Sequence, residues 1–113
     1  MHELAITQGV VDAVTERTGS APVARVRVRV GRLAGVVPDA MRFCFELVTA
    51  GTPLEGAVLE FEHPEGRGHC RACGEDFVLA DLILLCRCGS ADVEVLAGRE
   101  LGVASVVMAE PAG

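Results

Sequence analysis

Alternation of valine with arginine marks the clearest predicted element of the chain. Between Val23 and Gly31 three valines alternate with three arginines, namely Val26, Val28 and Val30 with Arg25, Arg27 and Arg29. A period of two is that of a β-strand with one buried face. The arginine face is typical of a solvated strand surface, although it could also dock an acidic protein. The pattern predicts a strand over 23–31.

Helical periodicity occurs on both sides of this strand. From Leu4 to Thr18 apolar residues recur on one face, at Leu4, Val10, Val11 and Val14, which predicts an amphipathic helix. A second helix is predicted to begin at Pro38, because proline suits the first turn, and to end at Gly51, which suits a helix C-terminus. Its apolar residues are Met41, Phe43, Cys44, Phe45, Leu47 and Val48.

The remaining strand patterns cover 57–62, 93–96 and 102–108. The last of these is apolar on both faces, so it is either sandwiched within the sheet or available to pair with another subunit, which leaves a homodimer open. We expect an α+β fold in which two helices pack on a small, mostly antiparallel sheet, with an inserted zinc-ribbon-like hairpin lobe. Residues 1–63 and 93–113 are predicted to form one discontinuous domain, and 64–92 the lobe.

The amino-acid composition of the chain excludes several classes of function. The chain has 113 residues, ten arginines, no lysine, no tyrosine or tryptophan, and a net charge of −6. Without lysine there is no Walker A loop and no Schiff-base chemistry, and an acidic chain poor in aromatic residues is a weak candidate for binding nucleic acid. No stretch approaches the roughly 18 apolar residues of a membrane span, and the first residues do not resemble a signal peptide. We therefore expect a cytoplasmic protein.

Four of the five cysteines form two close pairs. Cys70 and Cys73 are each part of Cys-Arg-Ala-Cys-Gly, and Cys86 and Cys88 of Cys-Arg-Cys-Gly. Zn²⁺ takes four thiolates in a tetrahedron, and two such pairs supply them with little chain. In a small lobe the metal would contribute much of the folding free energy. The spacing favours a structural zinc site.

Two other interpretations of the cysteine pairs remain open. His63 or His69 could replace a cysteine of the tighter pair, or the closely spaced thiols could form a redox switch. Cys44 stands apart in the second predicted helix among apolar neighbours, where a cysteine usually behaves as a small buried hydrophobic residue.

The first residues carry a different metal-binding potential. A histidine at position 2 is most often an exposed terminal residue. The Met1 amine, the His2 imidazole and the backbone nitrogens between them can, however, surround one ion with nitrogen ligands, which suits Ni(II) or Cu(II) better than zinc. Glu3 would add a carboxylate beside that site.

The beginning Met1-His2-Glu3-Leu4-Ala5-Ile6 resembles the N-terminal signature of the HypA/HybF nickel metallochaperones, which serve [NiFe]-hydrogenase maturation and in some species urease. The likeness covers essentially the whole chain, and the paired cysteines fall in the same order as in that family. Its other blocks are Gly31-Arg32-Leu33, Val37-Pro38-Asp39-Ala40, Phe45-Glu46-Leu47-Val48, Thr52-Pro53-Leu54, Cys88-Gly89-Ser90 and Gly98-Arg99-Glu100-Leu101.

The resemblance implies a role for each metal. Nickel would be transient cargo bound by His2, with the Met1 amine and the backbone of His2 and Glu3 completing the site. Zinc would be structural, and its ligands would be Cys70, Cys73, Cys86 and Cys88. The family usually has two residues between the cysteines of both pairs, so Cys86-Arg87-Cys88 departs from its pattern.

The resemblance also implies partners. Members of the family are not enzymes; they pass nickel to a GTPase partner or to the hydrogenase large subunit. A membrane or nucleic-acid partner is not expected. The alternative functions that the residues leave open are a zinc-ribbon adaptor or nucleic-acid-binding module, and a thiol redox switch protein.

Overall fold

The computed structural model describes residues 3–110. Both predicted helices and the predicted strands are present in it, and the α+β fold class is confirmed. In chain order the elements are α1 (Glu3–Thr18), β1 (Val23–Val30), α2 (Pro38–Thr49), β2 (Val58–Glu62), β3 (Gly66–Cys70), β4 (Asp76–Leu79), β5 (Val93–Ala97) and β6 (Leu101–Met108).

The first sheet has the strand order β2-β1-β6 and is mixed. At the two ends of the β1–β6 pair, Gly31 N–H donates to Glu100 O and Ala109 N–H donates to Pro22 O, so these strands run in opposite directions. β1 and β2 pair at a constant offset, since Arg27 contacts Glu60 and Arg29 contacts Glu62. A constant offset indicates parallel strands, which need a long connection, and α2 lies in the connection between these two.

Those contacts also define the arginine face of β1. Arg25 and Arg27 both lie 3.5 Å from Glu60, and Arg29 lies 3.0 Å from Glu62. The opposite face is buried at Val26 and Val28, as the alternation predicts. The arginines therefore form a solvated surface on which each charge has a carboxylate neighbour, not an isolated cationic stripe.

The chain folds as two compact units. The first comprises 1–28, 36–61 and 102–113. In it α1 and α2 pack against each other, and its core is largely apolar, with buried Val10, Val11, Val14, Val26, Val28, Met41, Phe45, Leu54 and Leu59. Cys44, expected to behave as a small buried hydrophobic residue, is only partly buried on α2.

The second unit comprises 29–35 and 62–101 and contains the antiparallel sheet β4-β3-β5. Its core joins Leu33, Leu79 and Val93 to two cysteines, Cys70 and Cys86. This unit includes the predicted lobe, 64–92, and extends on both sides of it.

Leu33 enters the second unit because two glycines make room for it. A Cβ on Gly98 would lie 2.7 Å from the Cα of Gly66 and 3.0 Å from Leu33 Cδ1. Gly98 also has φ +111°, a conformation that a side chain disfavours. Leu33 N–H donates to Gly98 O at 2.7 Å, so two separated blocks of the sequence, 31–33 and 98–101, meet here.

No helix among residues 3–110 is long and apolar enough to cross a membrane.

Candidate metal centre

The four paired cysteines converge in the second unit. The Sγ atoms of Cys70 and Cys88 are 3.7 Å apart, as are those of Cys73 and Cys86, and all four lie within 4.8 Å of one another. Four sulphurs held about 2.3 Å from one zinc ion lie about 3.8 Å apart along the edges of a tetrahedron. The sulphur positions therefore fit a tetrahedral Zn²⁺ site.

The first pair lies at the turn of the β3–β4 hairpin. Cys70 ends β3, and its N–H donates to Glu75 O at 2.9 Å while Gly74 N–H donates to Cys70 O at 2.8 Å. Gly74 has φ +80°, which lets the chain curl back beneath the sulphurs. This turn also directs the Cys73 N–H at Cys70 Sγ, 3.5 Å away.

The tighter second pair repeats this arrangement with one residue fewer. Cys86 N–H donates to Ser90 O at 2.9 Å, Gly89 N–H donates to Cys86 O at 2.8 Å, and Cys88 N–H points at Cys86 Sγ, 3.5 Å away. Gly89 has φ +95°, and only glycines have positive φ among positions 3–110. The turn is therefore one residue shorter than the first, and no non-glycine residue is forced into the left-handed region.

Two ion pairs connect the two cysteine turns. Each joins the arginine of one turn to a carboxylate in the segment that follows the other turn. Arg71 of the first turn lies 2.9 Å from Asp92, and Arg87 of the second lies 3.2 Å from Glu75. Both pairs are exposed to solvent, which screens their charges, so they contribute little to stability. Sequence reasoning did not identify these contacts, although the arginine that directly follows the first cysteine of each pair was a visible signal.

The turns set the acidity of the thiols. The N–H of Cys73 stabilises the Cys70 thiolate and is the main reason that the pKa of Cys70 is lowered to about 6. The N–H of Glu75 lowers the pKa of Cys73, but desolvation and the neighbouring sulphurs outweigh it and the pKa is raised. The same balance, with the N–H of Cys88, raises the pKa of Cys86.

Zinc loading should therefore release protons. At pH 7 we expect at least two, from Cys73 and Cys86, because these thiols are protonated both in the folded unit, where their pKa values are raised, and in an unfolded chain, whereas a metal-bound thiolate carries no proton. Zinc affinity should consequently fall as the pH falls. Calorimetric titration of the metal-stripped chain in buffers of different ionisation enthalpy counts the protons. Release of fewer than two would contradict coordination by all four sulphurs.

His63 and His69 lie outside the sulphur group. The Nδ1 of His69 lies 2.5 Å from Asp76 Oδ1 on the neighbouring strand, and that of His63 lies 3.2 Å from Val30 O. Among residues 3–110 the only group of three or more candidate metal ligands is the four cysteines. The four sulphurs are unbridged. The geometry thus brings the four cysteines together and leaves His63 and His69 outside the group.

Of the three residues predicted at the nickel site, Met1 and His2 lie outside the described residues. Glu3 is the first residue of α1, and its Oε2 accepts a hydrogen bond of 3.4 Å from the N–H of Val37. Val37 is the residue before α2, so the Glu3 carboxylate lies where an unpaired helix N–H and the helix dipole favour a negative charge.

Comparison with known proteins gives consistent results. The family described as "Hydrogenase/urease nickel incorporation, metallochaperone, hypA" matches residues 1–108. The chain is 43% identical over 110 residues to a hydrogenase maturation factor HypA of Nostoc punctiforme, covering 97% of each chain. It is 45% identical over 104 residues to the factor of that name from Geotalea uraniireducens, covering 91% of this chain and 94% of the relative.

The fold also resembles a solved structure. The solution structure of the Ni metallochaperone HypA from Helicobacter pylori superposes with a TM-score of 0.67, covering 96% of this chain and 97% of that one, at 20% identity.

Proposed function

The chain belongs to the HypA family of metallochaperones for nickel incorporation, and on that premise we propose that it binds Ni(II) at its own N-terminus and delivers it for [NiFe]-hydrogenase maturation, or for that of urease. The observation that carries the proposal is the family match over residues 1–108, which includes the starting residues Met1-His2-Glu3.

The proposed nickel ligands are the Met1 amine and His2, with the backbone of His2 and Glu3 supporting the site. Amine, imidazole and deprotonated backbone nitrogens suit the tetragonal geometry of Ni(II). A site at a chain end is open to solvent, so a partner can replace its ligands one at a time. Accessibility of this kind favours handover over permanent retention.

The Glu3 side chain supports the site indirectly in this proposal. Its carboxylate is engaged with the Val37 N–H at 3.4 Å, so it fixes the beginning of α1 beside the beginning of α2. We infer that the carboxylate positions the two residues before it, while the backbone nitrogen of Glu3 faces the metal.

Zinc has the opposite role. We propose that Cys70, Cys73, Cys86 and Cys88 hold one structural Zn²⁺ permanently. Cys70 and Cys86 are buried in the core of the second unit, so these two ligands are also packing residues, and loss of the ion would disturb that core. A closed thiolate site supplies stability and not transport.

The proposed partners are the proteins to which the chain would deliver nickel, namely a nickel-inserting GTPase and the hydrogenase large subunit. Delivery is proposed to take place in the cytoplasm. The chain itself is proposed to have no catalytic activity. Nucleic acid is not among them, because the net charge is −6 and the β1 arginines have carboxylate neighbours. A homodimer is a separate proposal on which nickel delivery does not depend.

Blocking the amine tests the nickel site. A short Gly-Ser extension before Met1 should weaken nickel binding by about tenfold or more, because it converts the Met1 amine into an amide nitrogen, a weaker ligand, while His2 stays in the chain. The same extension placed after Gly113 is the matched control and should leave the affinity unchanged. Calorimetric nickel titration of the zinc-loaded proteins measures both. Equal affinities in the two extended chains would exclude the free amine as a ligand.

A further inference from the structure

An apolar segment that follows β4 lies uncovered on the second unit. Residues 82–85 have the sequence LILL, and of these Leu84 packs against the core of that unit. Leu82, Ile83 and Leu85 keep 58%, 69% and 53% of their surface exposed. Runs of large exposed apolar residues are uncommon in proteins unless they serve binding. The segment is therefore a candidate contact surface.

Hydrogen bonds fix the backbone of this segment. The N–H of Ile83 donates to Asp81 Oδ1 at 2.8 Å, and the N–H of Leu85 donates to Ile83 O at 3.0 Å. The segment is followed by Cys86, which is buried in the core. Because the backbone is already fixed, a partner that contacts these side chains would lose less conformational entropy on binding.

A groove of about 580 Å³ is lined by this segment and by β4. Its apolar lining includes Phe77, Val78 and Leu79 of β4 and Ile83 and Leu85 of the segment. A volume of this size is within the range of pockets that take a ligand. An apolar side chain inserted into the groove would contact β4 and would also cover Ile83 and Leu85.

The groove also carries a net negative charge. Three carboxylates line it, those of Glu75, Asp76 and Asp81, together with one cation, Arg87. Arg87 pairs with Glu75 at 3.2 Å, whereas no arginine of residues 3–110 pairs with Asp81. A carboxylate without a cationic partner favours a ligand that supplies one. An arginine or lysine of the ligand would therefore complement this groove.

The charge of the groove also excludes two kinds of occupant. A second copy of the chain would bring a net charge of −6 and the same acidic rim against the first, and like charges that face each other oppose association. A nucleic acid is itself a polyanion. The complementary occupant is therefore a different protein, with a basic and apolar surface.

We propose that this groove is the docking site for a segment of a partner protein whose large apolar side chains are flanked by arginine or lysine. The apolar side chains would enter between β4 and residues 82–85, and a cationic group would pair with Asp81. All the contacts lie within the second unit, so docking here does not depend on nickel binding at the N-terminus.

Selection of random peptides displayed on phage tests which chemistry the groove prefers. The zinc-loaded chain is the target, and Ile83→Glu is used to remove peptides that bind elsewhere. The enriched peptides should combine large apolar residues with arginine or lysine. Enrichment of acidic peptides, or no enrichment over Ile83→Glu, would overturn the proposal.

The affinity of an enriched peptide for three variants tests where it binds. Ile83→Glu should weaken binding by about tenfold or more, although it adds a negative charge, because an apolar contact is lost. Asp81→Asn keeps an oxygen that can accept the Ile83 N–H and removes only the charge, so it should reduce the dependence of binding on salt. Leu47→Glu, at an exposed leucine of α2, is the matched control and should bind as the wild type does.

Fluorescence anisotropy of the labelled peptide measures these affinities. Equal binding by the wild type and Ile83→Glu, an unchanged salt dependence in Asp81→Asn, or a loss in Leu47→Glu would each contradict docking at this groove. If Ile83→Glu does not fold, amide exchange of the wild type decides. The peptide should raise protection over 76–87, and protection confined to other segments would refute the proposal.

Discussion

Replacing His2 with alanine should reduce nickel affinity by about 100-fold or more while leaving zinc content and fold unchanged. Loss of a hydrogen-bonding partner of a metal ligand typically costs about 10–100-fold in affinity, and the loss of a ligand itself should cost at least as much. The chain has three histidines, and His2 is the one for which the N-terminal amine and backbone nitrogens can complete a chelate.

The matched control is His63→Ala. His63 is an exposed histidine whose ring contacts Val30 O and lies outside any metal-ligand group of residues 3–110. Its loss should leave nickel affinity within about twofold of the wild-type value, since no nickel ligand is removed. Nickel calorimetry on untagged proteins compares the three chains. Equal losses in both variants would indicate diffuse binding to surface histidines.

Replacing Cys70 with alanine should abolish zinc binding and unfold the second unit. Apparent zinc-binding free energies in zinc-finger peptides are about 10–16 kcal/mol, which equals or exceeds the whole stability of most domains. Cys70 is also fully buried in the core of this unit. The expected result is a change from one zinc per chain to none, with loss of amide protection over 62–101.

Cys44→Ala is the control for this substitution. Cys44 is a free cysteine on α2, outside the sulphur group, so zinc content and protection of 62–101 should persist. Removal of zinc from the wild type with a chelator distinguishes the effect of losing the metal from the effect of losing the buried Cys70 side chain. It should unfold the same unit without any substitution. Retention of one zinc by Cys70→Ala would contradict the assignment of Cys70 as a ligand.

Much of the fold was predictable because local patterns agree with tertiary packing. The valine–arginine alternation of β1 places Val26 and Val28 in the core. The second helix begins at Pro38 as predicted, and Gly51 follows its end with φ +76°. At such positions the local sequence itself indicates the structure, either through the period of its hydrophobic residues or through a residue that suits a particular backbone conformation.

The structure of the segment 63–90 was not predictable strand by strand. β3 has the sequence GRGHC, which has no apolar alternation. Its glycines are required by packing, since a Cβ on Gly66 would lie 2.4 Å from Leu79 O and one on Gly68 would lie 2.9 Å from Val93. This strand is determined by contacts between residues that are distant in sequence, and no local sequence pattern predicts such contacts.

Part of the candidate metal centre could likewise be predicted from the local sequence, and part could not. Spacing alone identified the four cysteines, because close pairs followed by glycine are a local motif. The closure of the shortened turn by Ser90 O and the depressed pKa of Cys70 required the geometry. The nickel ligands Met1 and His2 rest on the resemblance and the family match, and they remain a proposal.

Native mass spectrometry of the untagged chain loaded with both metals, before and after a mild chelator, tests the separation of cargo from structural metal most directly. The wild type should carry one nickel and one zinc, and the chelator should remove the nickel while the zinc stays. His2→Ala should carry zinc alone from the beginning. Nickel that survives in His2→Ala, or that displaces zinc from the cysteines, would contradict the account.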